Sequence, residues 1–436
     1  MKDNFDLIII GGGILGTSLS YFLSFLNKSK KIAVIEQEHT VAHHTSGRNT
    51  GKVHAPYLYN PENKKLFANA AFHGYEMWKE YSKLQNIPFK EDGVIEVALD
   101  EKGIKVLEKY LKWGKQNGLE EKDIELMDKP EIKKIEPEIK CEAALYAHRD
   151  GSTDYSILTN SIMKDSKKNG INFLFNRKIN QIKRIGDKWE IKINENHKIF
   201  TNFLINAAGG QAIDIAHSVG IAKKLTDVHF RGEYWKTPKK YHNLTKTSVY
   251  SVPEFPDYPF LDPHWIVRVD GSCEIGPNAV PVFSPYGYDT TENIKKFIPK
   301  ILEMLNSGAR KAVFDKQFQE LAFSEIQSSM SKSVMIKRVK NFLPKINPKE
   351  ISMKGTAGIR SSVIDENGKF VPDVILLEED SSVHILNYNS PGATGALPFS
   401  AHVINQLHKR GLFENEDMEI QCGPWKFNEI IEKLEK

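Results

Sequence analysis

The chain has 436 residues, of which 40% are hydrophobic and 27% charged, with a formal net charge of +4. That length exceeds what one simple core holds, so two interwoven domains are expected in a soluble globular protein. The small, dispersed charge leaves no nucleic-acid footprint. Cys141, Cys273 and Cys422 lie far apart and without metal-ligand spacing, which predicts reduced thiols, a cytoplasmic location and no metal site.

Residues 5–10 form a short apolar run, followed at once by Gly11-Gly12-Gly13-Ile14-Leu15-Gly16 and, at 31–36, by Lys-Ile-Ala-Val-Ile-Glu. This order predicts a strand, a glycine turn, a helix, a second strand and an acid at its end. Gly11 permits the tight turn, Gly13 lets backbone N–H groups reach a pyrophosphate, and Gly16 lets helix and strand pack closely. The helix N-terminus at Ile14 adds partial positive charge for the phosphates. Glu36, followed by Gln37, can accept hydrogen bonds from both ribose hydroxyls and disfavours a 2′-phosphate; FAD and NAD stay open. The charge-free stretch 7–26 imitates a membrane span, but its glycines, Tyr21 and three serines fit a buried strand and helix better. Acids at Asp3 and Asp6 argue against a signal peptide.

A polar loop rich in glycine and histidine covers 41–61, and an amphipathic helix is predicted over 64–84 from Leu66, Ala70, Met77, Tyr81 and Leu84. A strand at 94–99 and a helix at 102–117 follow. Short strands are predicted at 172–175, 179–185, 189–193 and 200–205. The last runs into Asn206-Ala-Ala-Gly-Gly210, where small residues admit either a cofactor or another strand. Residues 226–282 read as β-rich and 291–343 as mostly helical. The chain closes with Ser390-Pro-Gly-Ala-Thr-Gly395 before a helix at 397–410, a second anion-friendly N-terminus. Nucleotide-type elements at the start, middle and end predict an α/β fold. A Rossmann-like FAD-binding domain is expected from 1–85, 150–225 and 346–436, with an inserted α+β substrate domain from 86–149 and 226–345 on a mixed or antiparallel sheet.

The N-terminal unit, the strand at 203–209 and the closing glycine loop together resemble the glycine/D-amino-acid oxidase superfamily of FAD enzymes. Within it, three motifs resemble the L-2-hydroxyglutarate dehydrogenase/oxidase group: His44-Thr-Ser-Gly-Arg-Asn49-Thr-Gly-Lys-Val-His54-Ala55, Phe230-Arg231-Gly232-Glu233-Tyr234 and Gly276-Pro277-Asn278-Ala279-Val280. Ser331-Lys332, Ala357-Gly358-Ile359-Arg360 and Asn389-Ser390-Pro391 follow in the same order. The chain departs from that group at Arg48, Pro56, Gly392 and Gly395. The resemblance implies FAD as cofactor and oxidation of a small 2-hydroxy acid, with L-2-hydroxyglutarate the leading substrate and hydride transfer to flavin the reaction. It implies cofactor contacts from Gly11, Gly13, Ile14, Gly16, Glu36 and Gln37, and from His44, Thr45, Ser46, Asn49 and Gly51. Further contacts would come from Ala208, Gly209, Gly358, Arg360, Pro391, Gly392, Ala393 and Thr394. The rival on the same fold is an oxidase or dehydrogenase of amines or amino acids such as sarcosine, glycine or proline. An NAD enzyme and a tRNA-modifying or non-catalytic flavoprotein are more distant.

Oxidising a 2-hydroxy acid needs a base for the hydroxyl proton and cations for the carboxylates. Histidine suits the first task. His54, in the loop after the second strand, and His264, before a strand carrying Arg268, are the candidates. Structural roles compete for both, a surface edge-strand position in the case of His264. Arginine's planar fork suits carboxylate capture, which singles out Arg48, Arg231, Arg268 and Arg360; Arg48 could instead pair with Glu233. Tyr234 and Asn278 are expected as hydrogen-bond donors. Between 325 and 343, Lys332, Lys337, Arg338 and Lys340 alternate with apolar residues. Such a helix can lie on an anionic membrane at the inner face of the cell, although a domain-covering helix is favoured. Oxygen, a quinone or another carrier are all open as electron acceptor, and the oligomeric state is not legible.

Overall fold

The apolar N-terminal run forms strand β1, Asp3–Ile10, in the computed structural model, which describes residues 3–26, 29–194, 197–254, 262–413 and 417–435. Helix α1, Ile14–Leu26, and strand β2, Ile32–Ile35, complete the unit. All four residues of β2 are buried, as expected of a parallel strand covered on both faces. β1 lies between β2, with Ile8 opposite Ala33, and strand His197–Asn206, with Ile8 opposite Leu204; both pairings are parallel. Asn172–Leu174 extends this sheet beyond β2, and Ser382–Leu386 joins His197–Asn206 in parallel from the C-terminal segment. One sheet thus draws on the start, middle and end of the chain. Helix α1, helix α2 (Lys65–Gln85) and helix Gly392–Lys409 cover one face, burying Phe22, Trp78 and Phe399 completely.

A second sheet of eight strands runs in the order Met353–Lys354, Trp235–Lys236, Cys273–Gly276, His264–Val267, Ser248–Ser251, Val94–Ala98, Ala143–Ala147 and Ile124–Asp128. Ser248–Ser251 pairs with Val94–Ala98 in parallel, and the other pairings are antiparallel, so the sheet is mixed. Met353–Lys354 belongs here, although the sequence places it in the segment assigned to the cofactor domain. A three-stranded antiparallel sheet of Thr226–Gly232, Val280–Val282 and Gly358–Ile364 sets Gly232 opposite Gly358.

Three local expectations change. The helix expected over 325–343 is two helices, Lys316–Met330 and Lys332–Lys340, meeting at Ser331. Met335, Ile336, Val339, Phe342 and Leu343 are fully buried against the second sheet, so this part of the apolar stripe is core, while Met330 is exposed. His264 is no surface edge residue: it opens a central strand and is 2% exposed. The last long helix starts at Gly392 instead of 397, so Gly392, Ala393 and Thr394 form its first turn. No helix among the described residues is long and apolar enough to cross a membrane.

Candidate active site

The glycine turn has the geometry its sequence demands. Gly11 has φ +107, and a Cβ there would come within 2.5 Å of the Ala207 carbonyl oxygen. The backbone N–H of Gly12 donates to Glu36 Oε2 at 2.7 Å and that of Glu38 to Oε1 at 2.9 Å. Burial raises the Glu36 carboxyl while these two N–H groups pull it back. Each carboxylate oxygen keeps a lone pair for a hydroxyl from the ligand side. Ser46 Oγ accepts from Ile14 N–H at 2.9 Å, so the loop lies across the start of α1. Thr45 Oγ1 donates to the Ile359 carbonyl at 2.9 Å and ties that loop to the third sheet.

A long cleft opens above this turn. Gly11, Gly13, Ile14, Glu36, Gln37, His44, Thr45, Ser46 and Asn49 all line it, as do Ala208, Gly209, Gly358, Arg360 and 391–394. A Cβ on Gly209 would meet nothing within 4 Å, which leaves that backbone open to a ligand. Gly16 packs under the Gly11 carbonyl instead of lining the cleft, the role its spacing predicts. Gly51 does not line it either; its φ is +73 and a Cβ would come within 2.5 Å of the Thr153 carbonyl oxygen. Asn49 spends its amide inside its own loop, donating to Thr45 and Ser46 carbonyls and accepting from Gly51 N–H. His44 stacks parallel to Tyr288 at 5.8 Å and lies 3.0 Å from Glu38 Oε1. Glu38, His39 and His43 bring three ligand-type atoms within 4.8 Å of one another beside this loop.

The first turn of the C-terminal helix supplies the far wall. Thr394 Oγ1 accepts from His54 N–H at 3.0 Å and lies 3.1 Å from the Tyr155 hydroxyl. Trp78 Nε1 of α2 donates to the Ala393 and Thr394 carbonyls at 3.0 and 2.9 Å, locking that turn in place. His54 therefore sits where the N-terminal loop meets the C-terminal helix, with its ring on the cleft.

The arginines divide sharply. Arg268 donates from Nε and Nη2 to Glu274 and from Nη1 to the Asn49 carbonyl. Arg231 donates to Glu233 Oε1 at 2.9 Å and to the Gly287 carbonyl at 3.1 Å. Neither lines the cleft. Arg48 does, but its Nε donates to the His43 carbonyl at 3.0 Å and its guanidinium lies 4.3 Å from the Tyr288 ring. Glu233, offered by the sequence as a partner for Arg48, is taken by Arg231 and by Asn278, whose Nδ2 donates to it at 3.2 Å. Asn278 Oδ1 accepts from Glu233 N–H at 2.8 Å, so this side chain braces a turn although it borders the cleft. Arg360 lines the cleft with Tyr234, and burial lowers its guanidinium below the usual value, with Tyr59 and Tyr234 opposing.

His264 stacks on Tyr250, with ring centroids 3.8 Å apart and an 18° interplanar angle. Burial, with His54 and Arg360 nearby, pushes it down to about 3, so it is a neutral imidazole at ordinary pH, and its buried Nδ1 has no hydrogen-bond partner. It can donate or accept one hydrogen bond in the cleft. Sequence reasoning missed Asp150, which is fully buried and whose Oδ2 lies 3.3 Å from His54 Nδ1. It missed Tyr250 as well. Their positions, 96 and 196 residues beyond His54, give no local signal.

A sheet with a parallel centre and a glycine turn, an acid at the end of β2 and a cleft running on to two histidines and an arginine defines a dinucleotide-binding oxidoreductase. The FAD dependent oxidoreductase (DAO) profile matches residues 6–406, and the chain belongs to that family. It is similar to L-2-hydroxyglutarate dehydrogenase of Indibacter alkaliphilus, 30% identical over 410 residues covering 93% of this chain and all of that protein. It is also similar to the mitochondrial L-2-hydroxyglutarate dehydrogenase of Homo sapiens, at 28% identity over 93% of this chain and 89% of the relative. Among solved structures, L-alpha-glycerophosphate oxidase from Mycoplasma pneumoniae with FAD bound superposes with a TM-score of 0.74 at 20% identity, covering 93% of this chain and 95% of that one. Glycine oxidase from Geobacillus kaustophilus superposes with a TM-score of 0.69 at 14% identity over 98% and 99%. FAD is the cofactor, and the open backbone at Gly209 and the acid at Glu36 fit it.

Proposed function

We propose that the chain oxidises a small L-2-hydroxy acid, L-2-hydroxyglutarate above others, to the 2-oxo acid. The observation that carries this reading is the grouping of His54, His264, Tyr250 and Arg360 in one part of the cleft, which pairs a candidate base with a carboxylate-binding cation. Full-length relatives named for L-2-hydroxyglutarate support the choice of substrate.

The phosphates of FAD would lie over the Gly11–Gly13 turn and the N-terminus of α1, and its ribose against Glu36. When bound, FAD supplies the acceptor for the α-hydrogen and two electrons. The chain's own part is to bind, orient and deprotonate. Arg360 holds the 1-carboxylate in the geometry an arginine fork favours. His264 offers a neutral hydrogen bond, its charge suppressed by burial and the nearby cation. His54 takes the hydroxyl proton. Tyr234, buried and pushed up to about 12, keeps its proton and can donate to substrate. The electron acceptor is a quinone, oxygen or another carrier.

The test is anaerobic bleaching of the bound flavin by a substrate panel. L-2-hydroxyglutarate should reduce it fastest, ahead of D-2-hydroxyglutarate, malate, lactate and glycerol 3-phosphate. Reduction by sarcosine, glycine or proline with no response to any 2-hydroxy acid would overturn the proposal.

A further inference from the structure

The turn between strands Ala143–Ala147 and Gly151–Thr153 carries Asp150, which is 0% exposed. Its Oδ2 lies 3.3 Å from His54 Nδ1 and accepts the Ala55 N–H at 3.2 Å. Its Oδ1 is buried with no hydrogen-bond partner among the described residues. An ionised carboxylate in such a place is costly unless a cation or donors face it. Burial raises the hydroxyls of Tyr57, Tyr59, Tyr75, Tyr155 and Tyr250, and the charge of Asp150 adds to that rise in each. Glu96, which accepts from the Tyr57 hydroxyl, is raised to about 8 by burial. From the cleft side, His264 and Arg360 lie near His54. Among the described residues, the ionisable side chain in hydrogen-bond contact with Asp150 is His54.

We propose that Asp150 is the positioning residue of His54. Its carboxylate fixes the imidazole with Nδ1–H inward and Nε2 toward the cleft, and it stabilises the imidazolium that forms when substrate is deprotonated. This rests on the oxidation proposed above. An ionised carboxylate only accepts hydrogen bonds, so Nδ1 carries the hydrogen and Nε2 presents its lone pair. In the reaction the substrate O–H bond breaks and its proton joins Nε2. As the α C–H bond breaks with its electron pair the C–O bond becomes C=O, and FAD, when bound, would supply the acceptor for that hydrogen and both electrons. The new positive charge on His54 then lies against the buried Asp150 carboxylate. If Asp150 merely braced the loop, through Ala55 N–H, an asparagine would serve as well.

Asp150→Asn keeps the shape and that acceptor but removes the charge. In the flavin-loaded protein we expect the limiting rate of anaerobic flavin reduction by L-2-hydroxyglutarate to fall ~10²- to 10⁴-fold. Substrate affinity should stay close to wild type, so that the loss appears in the limiting rate and not in the substrate concentration for half-saturation. In a His54→Gln background the same substitution should cost little more, because the two side chains act as one unit. An unchanged limiting rate in Asp150→Asn would overturn the proposal. Nitrogen-15 histidine NMR of the wild-type holoenzyme provides a second test that needs no variant to fold. It should show His54 protonated at Nδ1 and unprotonated at Nε2, and the opposite tautomer would overturn the assignment. If no 2-hydroxy acid bleaches the flavin, the reaction assigned to the site fails, while the tautomer still decides the pairing.

Discussion

Glu36 shows how much one side chain settles at the cofactor end of the cleft. Its two oxygens accept the Gly12 and Glu38 N–H groups, so it holds the turn in shape before any ribose arrives. Glu36→Ala should strand both donors and remove the ribose acceptor, costing about 1.5–3 kcal/mol, or roughly 10- to 150-fold in FAD affinity. The flavin-to-protein absorbance ratio after dialysis reads this directly, and undiminished flavin would count against the role. His264 yields a pH prediction. Its folded value, about 3, lies below the ordinary 6.5, so between those pH values the unfolded chain holds the extra proton. Stability therefore falls as pH drops from about 6.5 toward about 3. His264→Phe should flatten that fall in urea midpoints measured across the window; an unchanged slope would contradict the buried neutral imidazole. Residue roles were only partly legible in the sequence. Glu36 could be read because its distance from Gly11 is local to one β-α-β unit. The arginines could not, because ion pairing within the fold decides them: Arg231 lies two residues from its partner Glu233 and Arg268 six from Glu274, spacings that many exposed pairs share.

At the scale of elements, the crossing of α2 with helix Gly392–Lys409 places the far wall of the cleft. A Cβ on Gly74 would run into the Thr394 carbonyl, and one on Gly395 would come within 2.9 Å of Ala70 Cβ, so both glycines let the helices approach closely. Gly74→Val should push the first turn of the C-terminal helix outward, destabilising the protein by about 1–3 kcal/mol. Because Thr394 Oγ1 accepts the His54 N–H, it should also slow flavin reduction. A variant with a shifted urea midpoint and an unaltered rate would uncouple the wall from the site. Helical periodicity reveals α2 almost to the residue, since its stripe is long and regular. It fails at Ser331, where one apolar stripe passes through a helix break, and at Gly392, where a glycine-proline loop hides the first turn.

For the whole molecule, the cofactor sheet gathers strands from the two ends and the middle of the chain, while the mixed sheet between them carries His264, Tyr250 and the Arg268–Glu274 pair. The discontinuous layout was readable because nucleotide-type elements recur in order. The partition of strands was less so, since Met353–Lys354 pairs with Trp235–Lys236 through contacts that no local pattern encodes. Oxidation of a 2-hydroxy acid is tested most directly by anaerobic titration of the flavin-loaded protein with L-2-hydroxyglutarate, followed by product analysis. Bleaching of the flavin with one 2-oxoglutarate formed per flavin reduced is the predicted result. A flavin that stays oxidised with this substrate, yet bleaches with an amine or amino acid, would contradict it.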